Sequence, residues 1–169
     1  YEDENFYVSG YSFVISGRTG ERLYLLKPED YGNWHFGFSV AGAGDVDNDG
    51  YDDVIIGGIG QDVYPFTQGI VQVYSGIDGS LIYEYFGQTL GFSVAGVGDV
   101  NGDGHGDFFA GDSFDVVNLY SGIDGSLMHS WSENINEKRI GMSISKLGDV
   151  NGDGFNDIII GFPSLEEYN

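Results

Sequence analysis

Cysteine is absent from the 169 residues, which removes disulfides, thiolate metal sites and cysteine nucleophiles at once and leaves the redox compartment open. Basic residues are almost as scarce: Lys and Arg number 6 against 27 Asp and Glu, a formal charge of −21. That field repels a phosphate backbone or an anionic bilayer, so nucleic acid and membrane insertion are set aside and metal cations become favoured partners. No apolar run approaches the roughly 20 residues of a membrane span. Proline occupies only 3 positions, too few for collagen or a proline-rich linker. No signal peptide is visible, and the chain opens at Tyr1 rather than at a methionine, which reads as a processed or excerpted piece. Helical periodicity is missing too, and glycine recurs too often for a long helix.

What is present in excess is glycine, 29 residues, against a usual level of about 7%. A hydrophobic fraction of 41% and an aromatic fraction of 15% supply a core, so the glycine does not signal disorder. Length alone suggests roughly one domain. The glycines belong to a repeat. Three segments align without gaps over their central part: FGFSVAGAGDVDNDGYDDVIIGG from Phe36, LGFSVAGVGDVNGDGHGDFFAGD from Leu90 and IGMSISKLGDVNGDGFNDIIIGF from Ile140. A second unit alternates with them, as VISGRTGERLYLL from Val14, VYSGIDGSLIYEY from Val73 and LYSGIDGSLMHSW from Leu119.

Both units read as β-hairpins. In the second, strand-like residues flank a tight turn in which Gly79 and Gly125 supply positive φ, and Asp78 and Asp124 shape the turn. In the first, an Asp/Gly-rich loop separates two strands, and runs such as Val54-Ile55-Ile56 and Ile158-Ile159-Ile160 are continuous, as in strands buried on both faces. The fold class is all-β. A loop hairpin followed by a turn hairpin makes a four-stranded antiparallel unit of about 50 residues, the size of one β-propeller blade. The expected units are about residues 36–86 and 90–131, with the half-units at about 6–27 and 140–162 together equivalent to a third. About three blades do not close a ring, since propellers have about four to eight. The rest of the ring would come from a longer chain or from a second copy.

The loops carry the chemistry. DVDNDGYDD, DVNGDGHGD and DVNGDGFND each place Asp or Asn at positions 1, 3 and 5, glycine at 6 and Asp at 9. Alternate oxygen-bearing residues on a curled loop converge on one point, and the carbonyl of position 7 can join them. Hard oxygens in that number suit Ca²⁺. The expected ligands are Asp45, Asp47, Asp49, the Tyr51 carbonyl and Asp53 in the first loop. In the second they are Asp99, Asn101, Asp103, the His105 carbonyl and Asp107, and in the third Asp149, Asn151, Asp153, the Phe155 carbonyl and Asp157. Three Ca²⁺ sites are therefore expected. Two carboxylates about 4 Å apart repel by about 4 kcal/mol at an effective dielectric near 20, so a cation should stabilise the loops. An EF-hand or dockerin loop would need an acid at position 12 and a following helix. Ile56, Ala110 and Ile160 stand there instead. A thrombospondin-type calcium array would need cysteines. Polar turns without metal are the competing account.

These residues resemble the FG-GAP repeats of integrin α-subunit β-propellers and their bacterial relatives. The FG element is Phe36-Gly37, with variants Leu90-Gly91 and Ile140-Gly141. A looser GAP element follows as Gly57-Gly58-Ile59, Gly111-Asp112-Ser113 and Gly161-Phe162-Pro163, with the calcium loop between. The resemblance implies a propeller with Ca²⁺ in the loops joining the first two strands of each blade. It also implies an extracellular or cell-surface setting and a role in adhesion or ligand recognition. Integrin propellers have seven blades, a count this chain does not reach.

No catalytic constellation emerges. His35, His105 and His129 share no metal spacing and read as turn or surface residues, and Glu137-Lys138-Arg139 reads as a solvated loop. Trp34, Trp131 and the tyrosines are assigned to packing between blades. The expected function is an adhesion or protein-interaction scaffold whose loops Gly60–Gln68 and Glu133–Lys138 meet the partner, which is a protein or a glycan. A carbohydrate-binding propeller is the alternative, and a propeller-based lyase or hydrolase stands further off because only 6 basic residues are available for a catalytic cluster.

Overall fold

In the computed structural model, residues 10–29, 35–60, 68–113, 116–132 and 143–161 are described, and everything below concerns these. All of the regular structure is β. The strands are β1 (Ser12–Ile15), β2 (Arg22–Leu26), β3 (Ser39–Gly44), β4 (Asp53–Ile59), β5 (Gln68–Tyr74) and β6 (Leu81–Gln88). They continue as β7 (Ser93–Gly98), β8 (Asp107–Gly111), β9 (Val116–Tyr120), β10 (Leu127–Ser132), β11 (Ser143–Lys146) and β12 (Ile158–Gly161).

The strands form four antiparallel sheets in chain order: a β1–β2 hairpin, a four-stranded meander β3–β4–β5–β6, a second meander β7–β8–β9–β10 and a β11–β12 hairpin. Each meander is a loop hairpin joined to a turn hairpin, so the sequence repeat and the sheet are the same unit. The arrangement is blade-like. Among the described residues no strand links the first hairpin to the last, and no closed ring is present.

The core lies between successive sheets, which is why β4 and β8 are apolar on both faces. Ala43, Val46, Ile55, Val71 and Val73 of the first meander meet Val94, Phe108, Ala110 and Tyr120 of the second, with Tyr83 and Tyr85 at the margin. Phe108 and Tyr120 stack with ring centroids 5.6 Å apart, and Tyr85 lies 4.5 Å from Tyr120. A second cluster joins Leu26 and Val14 of the first hairpin to Ile56, Ile70 and Tyr74. A third joins Val97, Phe109 and Val117 to Ile144, Ile158 and Ile160 of the last hairpin.

Glycine sets how closely the sheets approach. At Gly96, an added Cβ would fall within the van der Waals radius of the Gly42 carbonyl oxygen on the neighbouring sheet. The glycine of the FG pair has the same role: Gly91, at φ +92°, presses on the Ile70 carbonyl, and the Ser39 hydroxyl donates to the Gly91 carbonyl at 2.7 Å. Phe36 and Leu90, the residues before the FG glycines, are buried. Ile140-Gly141, Phe162-Pro163, Trp34, Glu137-Lys138-Arg139 and most of the expected partner loops (61–67 and 133–138) lie outside the described residues.

Candidate functional site

Each Asp-rich loop joins the two strands of a loop hairpin, and the first two leave the sheet at register shifts between Gly42 and Gly44 and between Gly96 and Gly98. The loop then wraps around its own first aspartate. Asp45 accepts the amides of Asp49 (3.0 Å) and Gly50 (2.9 Å). Asp99 accepts those of Gly102 (2.6 Å), Asp103 (3.1 Å) and Gly104 (2.8 Å). Asp149 repeats that pattern with Gly152 (2.6 Å), Asp153 (3.1 Å) and Gly154 (2.9 Å). Position 3 caps position 5, through Asp47, Asn101 and Asn151, and position 5 accepts the amide of position 7. Position 4 is left-handed in all three: Asn48 at φ +59°, Gly102 and Gly152 at φ +81°. Asparagine is among the few non-glycine residues that tolerate this conformation, so the first loop keeps the shape without the glycine.

In the first loop, Asp45, Asp47 and Asp49 bring one carboxylate oxygen each within 4.8 Å of one another, at a largely exposed position. This is the one acidic cluster of its kind among the described residues. In the other two loops an asparagine stands at position 3, and its amide nitrogen donates to the position-5 aspartate, Asn101 to Asp103 at 2.8 Å and Asn151 to Asp153 at 2.9 Å. The chemistry of the first loop suits a hard divalent cation, because three oxygen donors converge and their mutual repulsion is relieved by positive charge.

The aspartate at position 9 is held differently. Asp53 and Asp107 are buried. Asp53 accepts the amide of Val46 in its own loop (2.7 Å) and that of Gly76 in the turn hairpin (2.8 Å). Asp107 does the same with Val100 (2.9 Å) and Gly122 (3.0 Å). Each carboxylate thus ties the loop to the start of the GxDG turn. Asp157 accepts the Val150 amide at 2.7 Å, and no turn glycine meets its other oxygen among the described residues. Burial pushes the Asp53 and Asp107 carboxyls above their ordinary range, against the lowering effect of the amides they accept. For Asp99, burial works upward but the amides of Gly104, Gly102, Asp103 and Asn101 together outweigh it, and its carboxyl is lowered. The Gly154 amide leads the lowering of Asp149.

The turn glycines escaped the sequence reading as site residues. Gly76 and Gly122 approach so closely that an added Cβ would run into the carbonyl oxygens of Asp52 and Gly106. The Tyr24 hydroxyl donates to the Gly76 (3.1 Å) and Ile77 (2.8 Å) carbonyls, and that of Tyr83 donates to the Gly122 carbonyl (2.8 Å). The signal was present as the recurring SG before each turn, but its partner lies on another hairpin. Asp78 and Asp124 cap Ser80 and Ser126 within the turns. Of the histidines, His105 pairs through Nδ1 with the Val46 carbonyl (2.7 Å), which links two neighbouring loops. Exposed His35 adopts φ +38° and His129 lies beside Trp131, which also packs on Phe109.

No helix among the described residues is long and apolar enough to cross a membrane. The FG-GAP repeat model matches residues 141–166. Integrin alpha-2 of Mus musculus is 33% identical over 107 residues, covering 55% of this chain and 9% of that protein. Integrin alpha pat-2 of Caenorhabditis briggsae is 34% identical over 111 residues, covering 56% of this chain and 8% of its own length. The chain thus spans less than a tenth of the curated relatives it matches. The alternating hairpins, the FG glycines and the Asp-rich loops agree with these matches, and over part of its length the chain is similar to FG-GAP-repeat and integrin α proteins.

Proposed function

We propose that the chain is a calcium-binding β-propeller segment of an extracellular or cell-surface protein, acting as a non-enzymatic adhesion or protein-interaction scaffold. Each meander is one blade, about residues 36–86 and 90–131. The Asp45–Asp47–Asp49 cluster carries this reading. The same backbone wrap in the other two loops supports equivalent sites there, with Asn101 and Asn151 supplying side-chain oxygens once their amides turn. Tyr51, His105 and Phe155 would add carbonyls, and Asp53, Asp107 and Asp157 each keep lone pairs for a cation beyond the amides they accept. Ca²⁺ bound there would rigidify one end of each blade, and the kinship with integrin α chains supports the extracellular adhesion setting.

Calorimetric titration with Ca²⁺ tests this. The expected stoichiometry is three, falling by one in each of Asp45→Asn, Asp99→Asn and Asp149→Asn. Absence of Ca²⁺ binding by the folded protein would refute the metal reading. Partner class is tested separately by comparing a glycan array with binding to extracellular-matrix proteins.

A further inference from the structure

We infer that the first two Asp-rich loops bind cations as a coupled pair, with His105 of the second loop positioning the first. This deepens the calcium reading above and rests on it. The loops meet through one peptide group and the imidazole beside it. The Gly106 amide donates to the Asp45 carbonyl at 2.6 Å. His105 pairs through Nδ1 with the Val46 carbonyl at 2.7 Å. A carbonyl only accepts, so Nδ1 carries the proton in this contact. The two carbonyls belong to consecutive peptide groups, Asp45–Val46 and Val46–Asp47. Both planes between the first and second candidate ligands are therefore held from the neighbouring loop.

The second loop is tied at the same place. The peptide joining His105 to Gly106 presents its oxygen as the expected position-7 ligand and its N–H to Asp45. A peptide group is planar, so holding that oxygen on a cation also fixes the direction of the N–H. Positive charge on the oxygen polarises the group and strengthens the bond that it donates. Little slack exists at this contact. Gly106 is buried, and a Cβ on it would lie 3.1 and 3.2 Å from the carbonyl oxygens of Asp45 and Ala43. The third loop is joined differently. Its Asn156 donates to the Val97 carbonyl at 3.1 Å, and Val97 belongs to strand β7, before the second loop begins. Phe155 stands where the second loop has His105, and its ring has no N–H to donate.

Ca²⁺ titration of the full chain followed by amide NMR tests the pairing, with Gly50, Gly104 and Gly154 reporting the three loops. Electrostatics alone has the opposite sign, because a cation in one loop cancels charge that draws the next. About 0.15 M salt screens that effect. Asp99→Asn, which empties the second loop, should weaken Ca²⁺ binding at Gly50 at least about fivefold, the low end of ordinary coupling between sites. By linkage, Asp45→Asn should weaken binding at Gly104 by the same factor. Measured again in a His105→Phe background the factor should shrink, and His105→Asn, which restores an N–H donor, should recover it. Tyr51 and Phe155 occupy this loop position elsewhere, so the fold accommodates the phenyl ring. Gly154 should not respond to either His105 variant. An equal loss there would mark general destabilisation and overturn the proposal. So would a Gly50 titration that Asp99→Asn leaves unchanged, or a coupling factor that His105→Phe leaves unchanged. A parent that binds no Ca²⁺ refutes the calcium reading and this inference with it, whereas three independent sites refute the pairing alone.

Discussion

At the residue scale, two kinds of aspartate share one nine-residue loop. Those at positions 1, 3 and 5 face the solvent end and organise the loop through its amides. In the two meanders the one at position 9, Asp53 or Asp107, is buried and bridges two hairpins. Removing Asp107 leaves the Val100 and Gly122 amides without their acceptor. An unpaired buried donor costs about 1–3 kcal/mol, so Asp107→Ala should lose about 2–5 kcal/mol in urea unfolding of calcium-free protein. Asp49→Asn, at an exposed position, should leave calcium-free stability nearly unchanged and weaken Ca²⁺ binding. Titration separates the two kinds further. The raised carboxyls of Asp53 and Asp107 favour the neutral form in the folded state, so their contribution is full below the ordinary value of 3.8 and is lost as pH rises through the folded value. Asp99 and Asp149 are lowered, so theirs is present above 3.8 and is lost as pH falls. Carbon-detected NMR of calcium-free protein should place Asp107 above Asp99, and the reverse order would refute this account.

At the scale of the element, the turn hairpin sits where a partner strand and a neighbouring sheet both need it. Gly122 illustrates this: its amide serves Asp107, its carbonyl receives Tyr83, and its Cα lies against the Gly106 carbonyl. Tyr83→Phe should therefore cost about 0.5–1.5 kcal/mol, the usual net contribution of one hydrogen bond. Phe108, fully buried at the centre of the aromatic cluster, is the costlier loss. Phe108→Ala should destabilise by about 3–5 kcal/mol, measured by the same urea titration. The hairpins themselves were legible in the sequence, because the two motifs alternate and the glycine of each GxDG turn marks its position. Gly79 and Gly125 do adopt positive φ, +76° and +70°. The bridge from Asp107 to Gly122 was not legible. Its members are separated by the whole of two strands, and nothing local marks Gly122 as a donor.

At the scale of the molecule, stability rests on sheets stacked through aromatic and glycine contacts rather than on any long element. Four tyrosines at these junctions, Tyr74, Tyr83, Tyr85 and Tyr120, are raised above 10.0, each chiefly by burial. A phenol that titrates higher in the folded state contributes stability below its unfolded value and loses it as pH rises. Stability should therefore fall steeply above pH 10, and an alkaline unfolding series followed by tyrosine absorbance checks it. The calcium proposed for the loops would act through different groups, the loop carboxylates. Each occupied site should add about 2.7 kcal/mol at a Ca²⁺ concentration of 100 Kd, so a chelator should lower the thermal midpoint by several degrees.

Local pattern by itself determined the strand type, the two alternating hairpins, the wrapped loops and the oxygen-rich composition of the candidate sites. All of these depend on residues a few positions apart, where φ preferences, alternation and reach of a side chain to nearby amides decide the outcome. Only the tertiary structure decided which carboxylates meet as a cluster and which serve as struts, because burial and the turn-glycine donors arrive from another hairpin. It also decided which glycines are compressed and which are open. Gly122 and Gly17 occupy the same place in the repeat, and they differ in whether the loop of a preceding hairpin in the same sheet lies against them.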